Sequence, residues 1–523
     1  MKVSSPFAFE WLSMHCARSP DAACVGTPTG WMTYGEIAAR VRHFAGELWV
    51  AGVTAGDHVM IALPNGPEAV AASLAVQSLG GCAVEVSREW GGEVLDAIAA
   101  QTRARVGFIH GRDAAAWATI RGAFERFYVV HPEAPSRRMH DLLRPAALTW
   151  LSESVAVDCH SPSHALPEAD LDADSPALLL YTSGSTGRRH GVIQTHRNIA
   201  ANTRSICSYL RLTSADRIMA ILPLYYCYGK SLLQTHLYAG GSVFLEHRFI
   251  YPQLVVQAMR EQRCTGFAGI PLTFELLRRQ VDPGALKISS LRYVTQAGGA
   301  MPPDLIRWTR DTFAPAPLFV MYGQTEATAR LSYLPPELAD AKAGSIGRGI
   351  PGVELLVFDD KGRECAIGAL GHLAARGENV TPGYFEDPEA TREILHDGWL
   401  WTGDMSYRDA DGFIFIVGRA KDILKIRGRR ISSGEIEQCL CHHPDVSEAA
   451  VVGIEDEIEG ESALAFVVLQ EGAVPDATAL RRFCHVRGTP LLAPKFIRFE
   501  SALPRTSNGK IAKQQLRTKG LGP

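Results

Sequence analysis

Two parts of this chain alternate between amphipathic helical segments and short apolar strands. In the first part, helices are predicted at residues 38–50 and 67–79 and strands at 58–63 and 82–86. In the second part, strands are predicted at 220–222 and 242–246 and helices at 232–238 and 254–260. Such alternation is typical of parallel sheets covered by helices. The sequence therefore predicts an α/β fold with at least two stacked α/β subdomains.

The pattern changes beyond residue 340. Short β-like runs at 353–358, 371–376 and 413–417 predict a small β-rich subdomain. After residue 420, helices at 434–441 and 478–487 and strands at 446–454, 463–469 and 496–499 give a compact α+β pattern. Because 523 residues are too many for one core, we predict a large N-terminal core domain at residues 1–420 and a small C-terminal domain at 421–523.

The composition is that of an ordinary globular protein. Apolar residues make up 46% of the chain and charged residues 21%, and the formal net charge is -3. This charge balance gives no reason to expect nucleic acid or an anionic membrane as a partner. The eleven cysteines are scattered and odd in number, which favours a reducing, cytoplasmic compartment. The sequence shows no signal peptide or membrane span, and it does not indicate an oligomeric state.

A loop rich in glycine and hydroxyl side chains follows the apolar run at residues 177–180. Its glycines allow a sharp turn that brings backbone N–H groups close to an anion, and its hydroxyls are donors. The residues proposed to bind phosphate are Thr182, Ser183, Gly184, Ser185, Thr186 and Gly187. Taken alone, such a run is also typical of a flexible loop.

Further motifs follow this loop in a fixed order. They are LPLYYCYGK (222–230), QAGGAM (296–301), YGQTEAT (322–328), WTGD (401–404), GRAKDILKIRGRRISSGEIE (418–437) and PRTSNGK (504–510). Together with the loop, they resemble the adenylate-forming superfamily of acyl-CoA synthetases, peptide-synthetase adenylation domains and luciferases. The resemblance covers essentially the whole chain. It implies that ATP activates a carboxylic acid as an acyl-adenylate, which a thiol then attacks, and that the C-terminal domain is mobile.

The resemblance also assigns roles around the nucleotide. Glu326 resembles the family's Mg²⁺ ligand, and a carboxylate is the hard oxygen donor that Mg²⁺ prefers. Thr325 is expected to donate to the α-phosphate and Tyr322 to lie along the adenine ring. Gly298 and Gly299 are expected to leave room for the base.

The C-terminal motifs imply further contacts. Asp404 resembles the residue that accepts hydrogen bonds from both ribose hydroxyls. Arg419 resembles the residue that closes over the ribose and the phosphates. Lys510 resembles the lysine that bridges the reacting carboxylate and the α-phosphate; removing such a cation costs on the order of 10² to 10³ in rate. Lys425 and Arg430 match positions that touch the nucleotide or its pyrophosphate.

A hinge is expected at Lys421, about which the small domain rotates between the two half-reactions. The rotation moves the lysine at position 510 away from the reacting groups and brings a channel that leads to the thiol acceptor into its place.

The loop departs from the family pattern after Gly187. The family usually has any residue, Pro, Lys and Gly there, whereas this chain has Arg188, Arg189, His190 and Gly191. A histidine is mostly neutral at pH 7, so His190 is expected to hold the phosphates more weakly than lysine does. Either arginine could supply the missing cation, although an arginine fork differs from a lysine point charge. We expect adenylation to survive with weaker ATP binding.

A second departure lies at Tyr226, where acyl-CoA synthetases often have histidine. The next position is aspartate in domains that activate α-amino acids and is Cys227 here. Without a carboxylate to pair with an ammonium group, an α-amino acid is disfavoured as substrate. The residues expected to line the acid pocket are Tyr226, Cys227, Tyr228, Ser231 and Ala297. Core packing of two of the three tyrosines at 225, 226 and 228 is an equal alternative.

These features predict an AMP-forming acid–thiol ligase that uses ATP, Mg²⁺ and a phosphopantetheine thiol. The substrate is expected to be a small or medium carboxylic acid, and the acceptor either CoA or a stand-alone carrier protein. A catalytically impaired nucleotide-binding or regulatory homologue is the alternative, because the loop lysine is missing. A third possible function, that of a luciferase-like oxygenase, rests on fold analogy alone.

Overall fold

The structure is a computed structural model that describes residues 5–118, 120, 124–131, 143, 146–152, 171–183, 189–426, 429–456, 460–487, 492–505 and 511–520. The chain forms two compact units. The first comprises Met1–Ala341, Gly349–Glu354 and Arg376–Gly398, and the second Lys342–Arg348, Leu355–Ala375 and Trp399–Pro523. The predicted domain boundary at residue 420 lies inside the second unit and stays a prediction.

The strands are, in chain order, β1 (Ala23–Thr27), β2 (Gly30–Thr33), β3 (His58–Ala62), β4 (Cys82–Glu85), β5 (Val106–His110), β6 (Arg126–His131), β7 (Ala147–Ser152), β8 (Pro176–Ser183), β9 (Arg189–Thr195), β10 (Arg217–Ala220), β11 (Ser242–Leu245), β12 (Gly266–Gly269), β13 (Tyr293–Gln296), β14 (Leu318–Tyr322), β15 (Ser332–Leu334), β16 (Ser345–Gly349), β17 (Val353–Phe358), β18 (Gly371–Gly377), β19 (Leu395–His396), β20 (Trp399–Arg408), β21 (Ile414–Arg419), β22 (Ile423–Ile426), β23 (Arg429–Ser432), β24 (Val446–Asp456), β25 (Gly460–Leu469) and β26 (Phe496–Phe499).

The α-helices are α1 (Ala8–Arg18), α2 (Tyr34–Val50), α3 (Pro67–Ser78), α4 (Gly92–Thr102), α5 (Ala114–Trp117), α6 (His196–Leu210), α7 (Cys227–Ala239), α8 (Pro252–Glu261), α9 (Pro271–Gln280), α10 (Pro303–Phe313), α11 (Pro388–Ile394), α12 (Ser433–Cys441), α13 (Ala477–Arg487) and α14 (Lys513–Gly520). No helix among the described residues combines the length and the apolar character that crossing a membrane requires.

The first unit contains two sheets. One has the order β7-β6-β5-β3-β4-β8-β9 and is parallel up to β8, with β9 antiparallel at the edge. The other runs β15-β14-β13-β12-β10-β11-β1-β2 and is parallel from β14 to β1. Parallel strands end at the same edge of a sheet, where ligands of α/β proteins bind. The second sheet thus brings the ends of β12, β13 and β14 together.

Local sequence fixes where the helices of the first unit begin. Thr33 caps α2, and its side chain and that of Glu36 form a reciprocal capping box. Thr195 and Asn198 do the same for α6, directly after β9. α3 begins with Pro67, whose missing N–H is not needed at a first helical position. The helix caps therefore mark the strand-to-helix connections.

The second unit is richer in β-structure. β18, β20, β21 and β16 form an antiparallel sheet. A separate sheet has the order β23-β22-β25-β24, and β26 pairs in parallel with β25. α12 and α13 pack over this sheet around a core that includes Leu424, Ile436 and Leu480. The predicted small β-rich and α+β parts are both present.

Several predicted segments differ from the structure in their bounds; for example, the helix predicted at 38–50 is α2, which already begins at Tyr34. The strand expected at 220–222 is β10, which runs from Arg217 to Ala220, and the helix expected at 232–238 is α7, which already begins at Cys227. Side chains from Cys227 to Leu237 are all buried, the polar ones included, so the polar residues do not mark an exposed face from which a helical period could be read. The connection predicted at residues 152–176 lies mostly outside the described residues.

Candidate active site

The glycine- and hydroxyl-rich loop connects β8 and β9. These strands pair antiparallel, with Thr182 opposite His190 and Ser183 opposite Arg189. Gly184, Ser185, Thr186 and Gly187 lie outside the described residues, and so does the side chain of Ser183. The structure thus places the strands that flank the predicted phosphate loop.

The side chain of His190 is held on one side of β9. Its Nδ1 lies 3.2 Å from Asp387 Oδ2, and its ring centroid lies 4.8 Å from that of Tyr384. The other oxygen of Asp387 accepts from the backbone N–H of Ala390 and caps α11. The residue that replaces the usual lysine therefore has an anionic neighbour, which no local sequence motif indicates because the two residues are far apart in the chain.

Arg189 points elsewhere, because successive side chains of a strand face opposite sides. Its guanidinium carbon lies 4.1 Å above the ring of Trp90. Burial lowers the pKa of Arg189, while Tyr225 acts in the opposite direction. A cation on the face of a tryptophan is a favourable contact. Arg189 is thus held by Trp90 and not beside His190.

Glu326 lies in a short 3-10 turn, Thr325–Ala327, that follows the end of β14. Its Oε1 accepts a 2.8 Å hydrogen bond from the hydroxyl of Tyr384, and its backbone carbonyl accepts from the N–H of Thr381 at 2.8 Å. Among the described side chains, none with a positive charge pairs with this carboxylate. Glu326 therefore keeps an oxygen that can meet a cation.

Buried amide side chains fix the segment around Glu326. Gln194 Nε2 donates to the carbonyls of Thr325 at 3.3 Å and Thr328 at 3.0 Å. Asn379 Nδ2 donates to the carbonyl of Arg330 at 2.9 Å. Thr328 has φ 64°, a conformation that costs free energy and persists only where neighbours impose it. The amides were not found from the sequence, since no local pattern relates residues 194 and 379 to residue 326.

The end of β13 is closely packed. Gly298 has φ 87°, and a Cβ at this position would lie 2.9 Å from Tyr226 Oη and 3.0 Å from Ile270 Cγ2. Beside it, Ala297 is buried, whereas a Cβ on Gly299 would reach no atom closer than 3.5 Å. Glycine is therefore required at 298 and is less constrained at 299.

Four of the five residues predicted to line the acid pocket lie at the start of α7, with Tyr226 as its N-cap, and the fifth, Ala297, follows β13. Tyr228 Oη and Thr295 Oγ1 are 2.8 Å apart, and Ser231 Oγ donates to the carbonyl of Tyr228 at 2.7 Å. Cys227 is buried against Leu180 and Ala329. Tyr228 is a core residue, whereas Tyr226 is half-buried with its hydroxyl at Gly298. Tyr322, at the end of β14, is also half-buried.

Asp404 and Arg419 lie side by side in the second unit. They are opposite residues of β20 and β21, and Arg419 Nε lies 3.1 Å from Asp404 Oδ1. Arg419 Nη1 also donates to the carbonyl of Thr402 at 2.8 Å. Asp404 is almost wholly buried, whereas Arg419 is exposed. The structure thus brings together the two residues predicted to meet the ribose.

Lys421 lies in the 3-10 turn Ala420–Asp422. Its carbonyl accepts from Arg517 Nη2 at 2.9 Å, and the same nitrogen lies 2.6 Å from Asp422 Oδ1. Lys425 and Arg430 are opposite residues of β22 and β23, but their side chains lie outside the described residues, as does Lys510.

The donor set suits Mg²⁺ better than a metal held by protein alone. Within the described ranges, no group of three or more His, Cys, Asp or Glu side chains could hold a metal ion. Mg²⁺ is usually bound through one or two carboxylates together with substrate phosphates and waters. Glu326, oriented by Tyr384, fits that pattern.

Comparison with known proteins shows the family of the chain. The AMP-binding enzyme model matches residues 12–385, and the AMP-binding enzyme C-terminal domain model matches residues 435–510. The chain is 29% identical to an indoleacetate–CoA ligase of Aromatoleum aromaticum, covering 97% of each. It is 32% identical to a sulfoacetate–CoA ligase of Cupriavidus necator, covering 97% of this chain and 96% of that one.

A solved structure is similar over nearly its full length. It is the o-succinylbenzoate coenzyme A synthetase of Bacillus subtilis in complex with ATP and magnesium ion, with a TM-score of 0.81, 25% identity, and coverage of 97% of this chain and 99% of that one. The predicted fold class, family and cofactors are confirmed, and no comparison supports the impaired alternative. The chain belongs to the AMP-binding enzyme family and is an AMP-forming acid–thiol ligase that uses ATP and Mg²⁺ to activate a carboxylic acid.

Proposed function

We propose that this ligase activates a small or medium carboxylic acid at the ends of β13 and β14 and transfers the acyl group to free coenzyme A. The observation that carries the assignment is the oriented carboxylate of Glu326, with one oxygen bonded to Tyr384 and its segment held by Gln194 and Asn379. Preorganised groups of this kind need no rearrangement when charge develops during the reaction.

The first unit supplies the reaction centre in this proposal. Glu326 holds Mg²⁺, which neutralises phosphate charge when bound, and Thr325 donates to the α-phosphate. Tyr322 stacks on adenine, and Gly298 and Gly299 leave room for it. His190 and the loop residues Thr182, Ser183, Gly184, Ser185, Thr186 and Gly187 bind the phosphates. The acid lies against Tyr226, Cys227, Tyr228, Ser231 and Ala297.

The second unit supplies the remaining contacts. Asp404 accepts hydrogen bonds from the ribose hydroxyls. Arg419 pairs with the carboxylate of Asp404 and therefore lies close to the same sugar. Lys510 stabilises charge between the carboxylate and the α-phosphate. Lys425 and Arg430 contact the nucleotide or pyrophosphate, and Lys421 is the hinge of a small domain at residues 421–523.

Free coenzyme A is the proposed acceptor because the relatives of near-full length are named as CoA ligases. A stand-alone carrier protein presents the same thiol and is the other acceptor to test. A cytoplasmic location is proposed as well, since the described cysteines are all free thiols.

The test is acid-dependent exchange of labelled pyrophosphate into ATP, followed by detection of acyl-CoA by mass spectrometry. We expect exchange with at least one acid, and a loss on the order of 10² to 10³ in rate for Lys510→Ala. Lys519→Ala removes an exposed lysine that pairs with Glu500 and is the matched control. The absence of exchange with every acid of a broad panel would refute the proposed function, and acylation of carrier proteins alone would refute the proposed acceptor.

A further inference from the structure

Arg330 is a buried cation with no ionic partner in the described part of the chain. Its side chain is 2% exposed, and its Nε has no hydrogen-bond partner. The other deeply buried charged side chains among the described residues all have opposite charges beside them. These pairs are Arg40 with Glu68, Lys230 with Glu85, Asp216 with Arg292, Glu246 with Arg248 and Asp404 with Arg419.

The groups that surround Arg330 are neutral. The ring of Tyr228 lies 4.7 Å from its guanidinium carbon. Burial raises the pKa of Tyr228, and it raises that of Tyr209, which also interacts with Arg330, to about 12. Burial lowers the pKa of His236 to about 4. No phenolate or imidazolium is therefore present near neutral pH, and the positive charge of Arg330 is not balanced by these neighbours.

An isolated buried charge is costly, because it loses its hydration without gaining a counter-ion. Lysine and histidine avoid this cost by releasing a proton, but an arginine side chain stays charged in proteins. The cost falls when a ligand supplies the missing anion. A bound anionic group would thus balance the buried charge of Arg330.

Arg330 faces a small cavity. It is lined by Tyr228, Ser231, His236, Thr295, Met321 and Arg330 itself. Tyr228 and Ser231 are among the residues proposed for the acid pocket. The backbone of Arg330 is fixed, since Asn202 and Asn379 both donate to its carbonyl, at 2.8 Å and 2.9 Å. The guanidinium itself is buried against the ring of Tyr228, and Arg330 follows Glu326 by four residues.

We infer that Arg330 is the counter-ion for a second anionic group of the substrate, so that the acid activated carries a further carboxylate or a sulfonate. This inference rests on the proposed function, because it assigns the acid that the same site takes. The cavity has room for about one water molecule, so its lining side chains must move apart to admit the terminal anionic group of the acid. The other carboxylate is the one that reacts with ATP.

The first test compares acids that differ only in the distal charge. Short dicarboxylic acids, their monomethyl esters, sulfoacetate and acetate are offered in the pyrophosphate exchange assay. For the wild type, we expect kcat/KM for the best diacid or sulfonated acid to exceed that of its uncharged analogue by about 100-fold. In Arg330→Met this preference disappears, mainly through KM.

The second test measures stability without turnover. Arg330→Met removes an unbalanced buried charge, so the unliganded variant is expected to melt at the same temperature as the wild type or higher. Arg40→Met, the matched control, leaves the carboxylate of Glu68 without its partner and is expected to melt lower. The preferred diacid raises the melting temperature of the wild type and does not change that of Arg330→Met.

The outcomes separate the two claims. If the wild type exchanges pyrophosphate equally well with acids that lack a second charge, or Arg330→Met keeps the preference, the inference is overturned and the proposed function stands. If no acid supports exchange, the proposed function fails. The shift of melting temperature with diacids then decides separately whether Arg330 binds an anion.

Discussion

The hydroxyl of Tyr384 donates a 2.8 Å hydrogen bond to Oε1 of Glu326. The two residues are 58 positions apart in the chain, and both belong to the first unit. The bond fixes the plane of the carboxylate and leaves Oε2 for another partner. Groups that orient a metal ligand commonly affect metal affinity, so this bond bears on the proposed role of Glu326 in binding Mg²⁺.

Tyr384→Phe is expected to lower the affinity for Mg²⁺ while the protein stays folded. The phenylalanine ring keeps the contact with His190 and removes only the hydroxyl. We expect the Mg²⁺ concentration for half-maximal pyrophosphate exchange to rise roughly 10-fold. Tyr407→Phe, whose ring stacks on Phe415 in the second unit, is the control. An unchanged Mg²⁺ dependence would show that Tyr384 does not orient Glu326.

His190→Lys is expected to strengthen ATP binding. The lysine ammonium is charged at neutral pH and can still lie beside the carboxylate of Asp387, which is now 3.2 Å from His190 Nδ1. A permanent cation near the phosphates should lower the apparent KM for ATP about 10-fold, as for other charge-assisted contacts. Steady-state ATP titration measures this change.

A second histidine–aspartate pair provides the control for that experiment. His372 Nε2 lies 3.1 Å from Asp360 Oδ1 in the second unit, so His372→Lys makes the same chemical change at another place. The apparent KM for ATP should not change in this variant. An unchanged or raised KM in His190→Lys would contradict the interpretation of the altered loop.

The sequence predicted elements well where periodicity and local caps dominate. The predicted strand at 353–358 coincides with β17, and the predicted helix at 434–441 differs from α12 by one residue. β10 was misplaced because its first residue is Arg217, a charged side chain that suggests a loop. In the structure this guanidinium packs 4.4 Å from the ring of Trp31 and bonds to Ser242.

The site was predicted only in part, for a physical reason. Motifs identified Glu326, Asp404 and His190 because each lies in a characteristic local sequence. The contacts of Tyr384 and Arg330 join distant segments of the chain. Hydrophobic periodicity shows which face of an element is buried, but it does not show which element packs against that face. A charged residue inside the apolar run at 329–334 was the available signal for Arg330. Its lack of a counter-ion became visible only in three dimensions.

Asp404→Asn is expected to weaken recognition of the ribose. A carboxylate can accept from both hydroxyls, whereas an amide has only one acceptor oxygen. We expect KM for ATP to rise roughly 10-fold, in keeping with the loss of a charge-assisted hydrogen bond. Comparison with 2′-deoxy-ATP checks the assignment, because the variant should discriminate less between the two nucleotides than the wild type. Equal discrimination in both proteins would place Asp404 away from the ribose.

The buried His236 should make the first unit less stable in acid. Its Nε2 lies 3.0 Å from Tyr293 Oη, its Nδ1 lies 2.8 Å from the carbonyl of Leu232, and burial lowers its pKa from 6.5 to about 4. Asp216 favours and Arg292 opposes its protonation, and neither outweighs burial.

The sign of the effect follows from the difference between the folded and unfolded chains. Below pH 6.5 His236 of the unfolded chain binds a proton, whereas His236 of the folded chain stays neutral until about pH 4. The free energy of unfolding therefore falls as the pH falls over this interval. The full difference in the free energy of unfolding corresponds to about 3 kcal/mol.

Urea unfolding at about pH 7 and at about pH 5 measures how much stability is lost between these conditions. His236→Gln should show a smaller loss of stability between these conditions than the wild type, whereas His43→Gln, which replaces an exposed histidine, should show the same loss. Equal losses in His236→Gln and the wild type would mean that another group causes the acid sensitivity.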